Sequence, residues 1–346
     1  MTKQLEISKF LEQSEKTPII DVRTPAEFAH AHIPGAYNIP LFTNEERAQV
    51  GTSYKKQGKE QAVILGLELV GTKLADFVKQ AKKIAVGKKL LVHCWRGGMR
   101  SASMAWLFNT AGLQATTLTG GYKAYRRHIK SNFAKNYKLL VLGGMTGSGK
   151  TEILQAIAKQ GEQFIDLEKL AHHKGSSFGA LGQLQQDSTE QFENNLFEDW
   201  KKLDISKTVW IEDESQAIGS VRIPEEIYTR IRKSPVIKIE LPKTERINWL
   251  VKDYGSFDKE KLRAAVHRIE KRLGGLRTKE ALEAIESSDF HKVADITLEY
   301  YDKAYNYGLS TRKNDTVFEI KQDKIEPNKN AKEIIEFFNK LQIKFI

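Results

Sequence analysis

Lys138-Leu139-Leu140-Val141-Leu142-Gly143-Gly144-Met145-Thr146-Gly147-Ser148-Gly149-Lys150-Thr151 decides how the second part of this 346-residue chain folds. Leu139 to Leu142 form an unbroken apolar run, which is what a parallel strand covered on both faces requires. A glycine-rich turn follows, and from Thr151 to about Lys159 the apolar residues return with helical period. The turn has the spacing G-x-x-x-x-G-K-[ST], between a strand and a helix, where that motif has its mechanical meaning. Its glycines free backbone N–H groups to wrap a diphosphate, Lys150 adds a point charge, and the Thr151 hydroxyl is placed to ligate a magnesium ion. Gly144, Met145, Thr146, Gly147, Ser148, Gly149, Lys150 and Thr151 are therefore the expected diphosphate-binding residues.

Further along, Thr208-Val209-Trp210-Ile211-Glu212 reads as a second buried strand ending in acids, Asp213-Glu214-Ser215. Those acids would hold a metal or cap the strand. No GTP-type base-specificity box is found, so the loop specifies a diphosphate and leaves the rest of the ligand open. Between the two strands come Phe164-Ile165-Asp166-Leu167-Glu168 and then Ala171-His172-His173-Lys174-Gly175-Ser176-Ser177-Phe178-Gly179, which crowds small, basic and imidazole side chains into an expected loop suited to substrate contact. We take Asp166, His173, Ser176, Glu212, Asp213, Glu214 and Ser215 as candidate substrate or metal contacts. Two histidines without cysteines do not make a zinc site, and the metal question stays open.

Towards the N-terminus, short apolar runs such as Pro18-Ile19-Ile20 and Lys89-Leu90-Leu91-Val92 alternate with helical stretches such as Leu74 to Ile84. That alternation predicts a second α/β sheet. We place the domains at 1–134 and 135–346, the latter with a basic C-terminal helical region ending in an amphipathic helix within Lys321 to Phe345. In Leu91-Val92-His93-Cys94-Trp95-Arg96-Gly97-Gly98-Met99-Arg100-Ser101 the chain's one cysteine follows a strand, in a turn that opens a helix through Met104 and Leu107. Free N–H groups at a helix start converge on an anion and favour a thiolate. Cys94 is thus the expected nucleophile, and Trp95, Arg96, Gly97, Gly98, Met99 and Arg100 the loop holding an oxyanion over its sulfur.

Three further segments frame this loop: Asp21-Val22-Arg23 with Glu27-Phe28, His32-Ile33-Pro34-Gly35-Ala36-Tyr37-Asn38-Ile39-Pro40, and Leu118-Thr119-Gly120-Gly121-Tyr122. Taken in order they resemble the boxes of rhodanese domains. The loop from Cys94 to Arg100 is one residue longer than in common sulfur-transferring rhodaneses. His-Cys, five residues, then Arg-Ser also resembles dual-specificity phosphatases. A longer loop admits a larger tetrahedral anion, selenophosphate or a phosphate ester alike.

The composition, with 40% hydrophobic and 29% charged residues, is that of a folded globular protein. A single cysteine excludes an internal disulfide framework. With no signal-like or membrane-length apolar run, we expect a cytoplasmic protein without membrane partners. Lys and Arg number 55 against 44 acids, a net charge of +11 that suits a polyanion. Lys123, Arg126, Arg127, Lys130, Lys135 and Lys138 interleave with Tyr122, Tyr125, Phe133 and Tyr137, which suits single-stranded RNA as well as it suits a solvated helix face. Pro242 to Arg277, with Arg268, Lys271 and Arg272, would extend the same track, so Arg126, Arg127, Lys130, Arg268, Lys271 and Arg272 are the expected RNA contacts.

A rhodanese-like domain followed by this P-loop domain resembles the tRNA 2-selenouridine synthase family. The likeness includes Trp210-Ile211-Glu212-Asp213-Glu214-Ser215 with Ile218-Gly219, Lys271-Arg272-Leu273-Gly274-Gly275, and Tyr301-Asp302 with Tyr305. The resemblance implies a transferase acting on tRNA with a wobble 2-thiouridine. Geranyl diphosphate first alkylates the sulfur, and selenophosphate, supplied by selenophosphate synthetase, then displaces the geranylthio group. No tightly bound cofactor is implied, and whether a magnesium ion sits at Thr151 stays open. Two rivals remain at this level: a P-loop kinase or nucleotide-dependent sulfurtransferase, and a phosphatase-like cysteine enzyme. An RNA-binding scaffold is a third, opposed by the retained Cys94.

Overall fold

The structure, a computed structural model, describes residues 2–312, 316–341, 343 and 345. The chain divides into two compact units. One is Met1–Asn132 together with Glu193–Glu198, the other Phe133–Phe192 together with Asp199–Ile346. The sequence division at 134 did not anticipate that Glu193–Glu198, the middle of a helix, groups with the N-terminal unit.

The first unit is built on strands β1 (Gln4–Leu5), β2 (Ile19–Asp21), β3 (Tyr37–Asn38), β4 (Lys89–His93) and β5 (Gln114–Leu118), all parallel in the order β1-β5-β4-β2-β3. Because β2, β4 and β5 are adjacent and parallel, the segments that follow them emerge at one sheet edge, as ligand-binding segments of open α/β sheets do. Those segments hold Arg23, Cys94 and Gly120-Gly121. Ile20, Val22, Leu90 and Val92 pack on Phe77, Met104 and Phe108 from the helices Leu74–Ile84 and Met99–Thr110.

The second unit contains β6 (Lys138–Gly144), β7 (Gln163–Ile165), β8 (Thr208–Glu212), a hairpin of β9 (Ala217–Ile218) and β10 (Val221–Arg222), β11 (Val236–Glu240) and β12 (Val317–Lys321). The main sheet is parallel in the order β12-β11-β6-β8-β7, with the phosphate-loop strand β6 in the middle. Its residues are buried from Leu139 to Gly144, as the unbroken apolar run predicts. The helix Lys150–Lys159 buries Ile153, Leu154 and Ile157 against Leu140, Trp210 and Ile334. The helices Lys243–Tyr254, Lys259–Leu273, Gly275–Glu286 and Phe290–Ser310 carry a second apolar cluster, including Leu262, Val266, Ile285 and Val293. The expected terminal helix is Pro327–Lys340. Lys321 instead closes β12, where Val317 to Lys321 find ladder partners on β11 from Val236 to Glu240. No helix among the described residues is long and apolar enough to cross a membrane.

Candidate active site

In the N-terminal unit Cys94 is buried at the end of β4, its Sγ 3.2 Å from the Oγ of Ser101. The Ser101 hydroxyl also reaches the Gly98 carbonyl at 3.1 Å, so its proton can turn to a thiolate or away from a thiol. The Gly120-Gly121 segment props the loop from behind. Tyr122 N–H donates to the Cys94 carbonyl at 2.9 Å and Lys123 N–H to that of Trp95 at 3.0 Å. Gly97 has φ +66°, and a Cβ there would stand 2.6 Å from the Leu118 carbonyl, so only glycine lets the two segments meet. The Asp21-Val22-Arg23 box supplies rigidity: Arg23 is buried, paired with Asp21 at 2.6 Å, and lies 4.0 Å over the Tyr122 ring.

The two loop arginines differ. Arg100 is anchored on Glu27 at 2.8 Å. Burial works to raise the Glu27 carboxyl pKa, but the hydrogen bond and charge of Arg100 outweigh it and hold the group below its usual range. Arg96 is exposed and has no hydrogen-bond or ion-pair partner among the described residues. Trp95 and Gly97 are half-buried, and Gly98 and Met99 face solvent at the start of the helix. The loop therefore offers an incoming anion the Arg96 guanidinium, the first N–H groups of the helix Met99–Thr110, and a sulfur beneath them.

The second unit holds a cleft of about 650 Å³ around the phosphate loop. Gly144 and Thr146 to Thr151 line it, with Ser176, Asp213, Glu214, Ser215 and Arg272. Gly147 and Gly149 have φ of +79° and +68°, the left-handed turns that aim N–H groups inwards. Lys150 folds onto the Gly144 carbonyl at 2.9 Å. The Ser148 hydroxyl is buried with no partner among the described residues, an orphan donor inside a cradle for anions. Three contacts brace the loop. Arg246 forks onto Asp302 with two bonds of 2.8 Å and donates to the Thr146 carbonyl at 3.2 Å; the Tyr305 hydroxyl accepts the Gly144 N–H at 2.8 Å.

Behind the loop, the Thr151 hydroxyl faces Glu168 at 2.9 Å and Glu212 at 2.8 Å. One hydroxyl has one proton to give, so a carboxyl here must bring its own. Glu212 is that group: burial, then the charges of Glu168 and Glu214, push its pKa well above the carboxylate range. Glu214 is pushed up to about 8, by burial first and Glu168 next. These are hard oxygen donors of the kind magnesium takes. No group of three or more His, Cys, Asp or Glu among the described residues is arranged to hold a metal ion.

Other expected contacts fall outside the cleft. Met145 and Glu212 do not line it. Asp166 caps the helix Leu167–Ala171, accepting the Lys169 N–H at 2.9 Å. His173 lies buried between Gly179 and Gly219, its Nδ1 without a partner among the described residues; burial and the charge of Arg268 lower its pKa. Phe178, in the expected substrate loop, lines the cleft, and with it an apolar wall that sequence reasoning missed: Leu181, Trp249, Leu250, Phe257 and Ile269. Phe178 and Leu181 share one turn, Trp249 and Leu250 are neighbours on the helix Lys243–Tyr254, Ile269 lies on the helix Lys259–Leu273 and Phe257 between those two helices, and no motif spans the three segments.

The expected RNA track needs correction. Tyr122, Tyr125, Phe133 and Tyr137 are buried core residues, unable to stack on RNA bases. Arg126 is bound by Glu193 and Asn194 and is mostly covered. Helical period explains this: positions 122, 125, 126, 129 and 133 share one face of the helix Gly121–Phe133, and that face packs inwards. Arg127 and Lys130 remain exposed, as do Arg268, Lys271 and Arg272 on the helix Lys259–Leu273. Arg272 donates to the Tyr300 hydroxyl at 2.7 Å. Arg263 and Arg277 are paired with Glu286 and Glu299.

A parallel sheet presenting a cysteine loop, joined in one chain to a parallel sheet presenting a phosphate loop, defines a rhodanese-like domain fused to a P-loop domain. The rhodanese-like domain family matches residues 5–128, and the family described as the tRNA 2-selenouridine synthase AAA domain matches residues 137–334. The chain is 33% identical to a tRNA 2-selenouridine synthase of Nitrosomonas europaea, over 87% of this chain and 91% of that protein. It is 34% identical to one of Bordetella petrii (87% and 89%) and 35% identical to one of a Sulfurovum species (90% and 93%). The chain belongs to the tRNA 2-selenouridine synthase family and is a tRNA-modifying transferase.

Proposed function

We propose that this enzyme converts a wobble 2-thiouridine of tRNA to 2-selenouridine through an S-geranyl intermediate, with geranyl diphosphate and selenophosphate as co-substrates. The observation that carries the reading is the composition of the P-loop cleft. A diphosphate cradle with an orphan Ser148 hydroxyl and a cation, Lys150, opens onto an apolar wall of Trp249, Leu250 and Phe257. A prenyl diphosphate has the same two halves.

In the first step the thione sulfur attacks C1 of the geranyl group, the C1–O bond breaks, diphosphate leaves with the electron pair, and the N3 proton of the base is released to solvent. The loop N–H groups and Lys150 meet the charge that develops on the leaving oxygen, where preorganised donors count most. Arg246 and Tyr305 keep those donors in place without touching the reacting atoms. The apolar wall covers the tail and keeps water from C1. Alkylation turns the sulfur into a better leaving group. In the second step the selenium of selenophosphate attacks C2, the C2–S bond breaks and geranylthiol leaves, and water takes the phosphoryl group off selenium as phosphate. The selenophosphate anion is held by Arg96 and the helix start above Cys94, whose thiol is placed to give the departing sulfur its proton. Selenophosphate synthetase is the enzyme that would supply this donor.

Mass spectrometry of wobble nucleosides tests the reading, after incubation of thiolated tRNA with geranyl diphosphate alone and then with selenophosphate. The expected series is 2-thiouridine, S-geranyl-2-thiouridine and 2-selenouridine. Lys150-dependent hydrolysis of ATP without prenyl transfer would overturn it in favour of a nucleotide enzyme, and release of phosphate from generic esters at Cys94 in favour of a phosphatase.

A further inference from the structure

Two of the apolar lining residues lie against different segments of the chain. Leu250 lies against the phosphate loop itself, since a Cβ on Gly147 would stand 3.0 Å from its Cγ. Phe257 comes three residues after the end of the helix Lys243–Tyr254 that carries Leu250, and lies against a different segment. There a Cβ on Gly182 would stand 3.0 Å from the Phe257 ring, and Gly182 has φ +70°, so the turn brings bare backbone up to the ring. Phe257 both lines the cleft and packs on the buried cluster of Leu262, Val266 and Val293. A prenyl chain running from the loop past Leu250 towards Phe257 would meet a ring packed on that helical core.

We infer that Phe257, backed by the Gly182 turn, sets the length of prenyl chain the cleft accepts. The inference rests on the reading of the cleft as a prenyl diphosphate site. An aromatic ring at the far end of an apolar channel admits chains that stop short of it and rejects the next isoprene unit by overlap with a packed core, which yields poorly to added volume. Truncating the ring opens space continuous with an apolar cluster, so a longer tail gains burial. Enlarging it shortens the channel.

Thiolated tRNA would be incubated with an equimolar mixture of dimethylallyl, geranyl and farnesyl diphosphates, and the S-prenyl nucleosides quantified by mass. The wild-type chain should yield the geranyl product. Phe257→Ala should shift the farnesyl-to-geranyl ratio upwards by at least about tenfold, the scale on which a hydrophobic pocket discriminates added carbons. Phe257→Leu should shift it the same way by less, and serves if the alanine variant does not fold. Phe257→Trp should raise dimethylallyl over geranyl transfer. Because the readout is a product ratio, a general loss of activity does not mimic it. Active variants with unchanged ratios overturn the role of Phe257 and leave the proposed function standing. Absence of every prenyl product from the wild-type chain overturns the proposed function itself.

Discussion

The Sγ of Cys94 lies 3.2 Å from the Oγ of Ser101, seven residues on and in the first turns of the helix that the loop opens. The hydroxyl can donate to the sulfur once the thiol is ionised. Cys94→Ser should abolish selenation and leave geranylation largely intact, read from the masses of the wobble nucleosides. Ser101→Ala removes one charge-assisted hydrogen bond, worth about 1.5–3 kcal/mol. Selenation should slow by about tenfold or more, with geranylation again the internal control. Normal selenation by a folded Cys94→Ser protein would take the cysteine out of the mechanism.

Lys150 brings its ammonium into the phosphate loop, 2.9 Å from the Gly144 carbonyl. Lys150→Ala withdraws that charge from the leaving diphosphate, a loss on the order of 3 kcal/mol in the transition state. Geranyl transfer should therefore fall about a hundredfold in single-turnover assays. Loss of ATP turnover with geranyl transfer intact would instead favour the nucleotide-enzyme reading.

The fork of Arg246 on Asp302 is partly buried and ties the helix Phe290–Ser310 to the Thr146 carbonyl. Asp302→Ala leaves a mostly buried guanidinium without its anion, which commonly costs about 3–5 kcal/mol. The P-loop unit should melt at a lower temperature, and geranyl diphosphate, measured by calorimetry, should bind more weakly. An unchanged affinity would show that the loop holds its shape without this brace.

Glu27 gives a pH test. Its carboxyl is held below the ordinary value in the folded chain, chiefly because Arg100 outweighs the effect of burial. The unfolded chain then binds more protons in the window below the ordinary glutamate value of 4.5, so stability rises with pH there. The advantage of wild type over Glu27→Gln should be full above that value and shrink as pH falls through the folded pKa. Denaturant melts at pH 6, 5, 4 and 3 would reveal it; a gap independent of pH would mean that Glu27 acts by packing rather than charge.

For tRNA, the exposed cations define the experiment. Arg127→Ala with Lys130→Ala, and separately Arg268→Ala, Lys271→Ala and Arg272→Ala together, should each weaken binding across tRNA sequences. The salt slope should drop by about one unit for every phosphate that the substitutions leave unneutralised. With the neighbouring tyrosines buried and Arg126 bound to Glu193, the first pair has no stacking advantage over the triple. Unchanged affinity and slope in both variants would put the tRNA surface elsewhere.

Much of this protein follows from local sequence. The unbroken apolar run of β6, the glycine spacing after it and the cysteine turn after β4 specify strand, loop and helix within a few residues, because backbone freedom at glycine and burial on both strand faces are short-range requirements. The ends of β8 and of the helix Leu74–Ile84 fall where periodicity puts them. What the sequence could not decide was which face of a helix turns inwards and which distant segments meet. Tyr122 and Tyr125 look like stacking rings among cations, yet Tyr122 packs beside Trp95 and Arg23 and Tyr125 meets the Phe197 ring edge-on, partners that lie far off in the sequence. Leu250, Phe257 and the Gly182 turn are unremarkable in sequence and become one wall only in three dimensions. A phosphate loop is made by consecutive backbone N–H groups and is written in consecutive residues. An apolar pocket is made by side chains from separate elements whose approach depends on the packing of the whole unit.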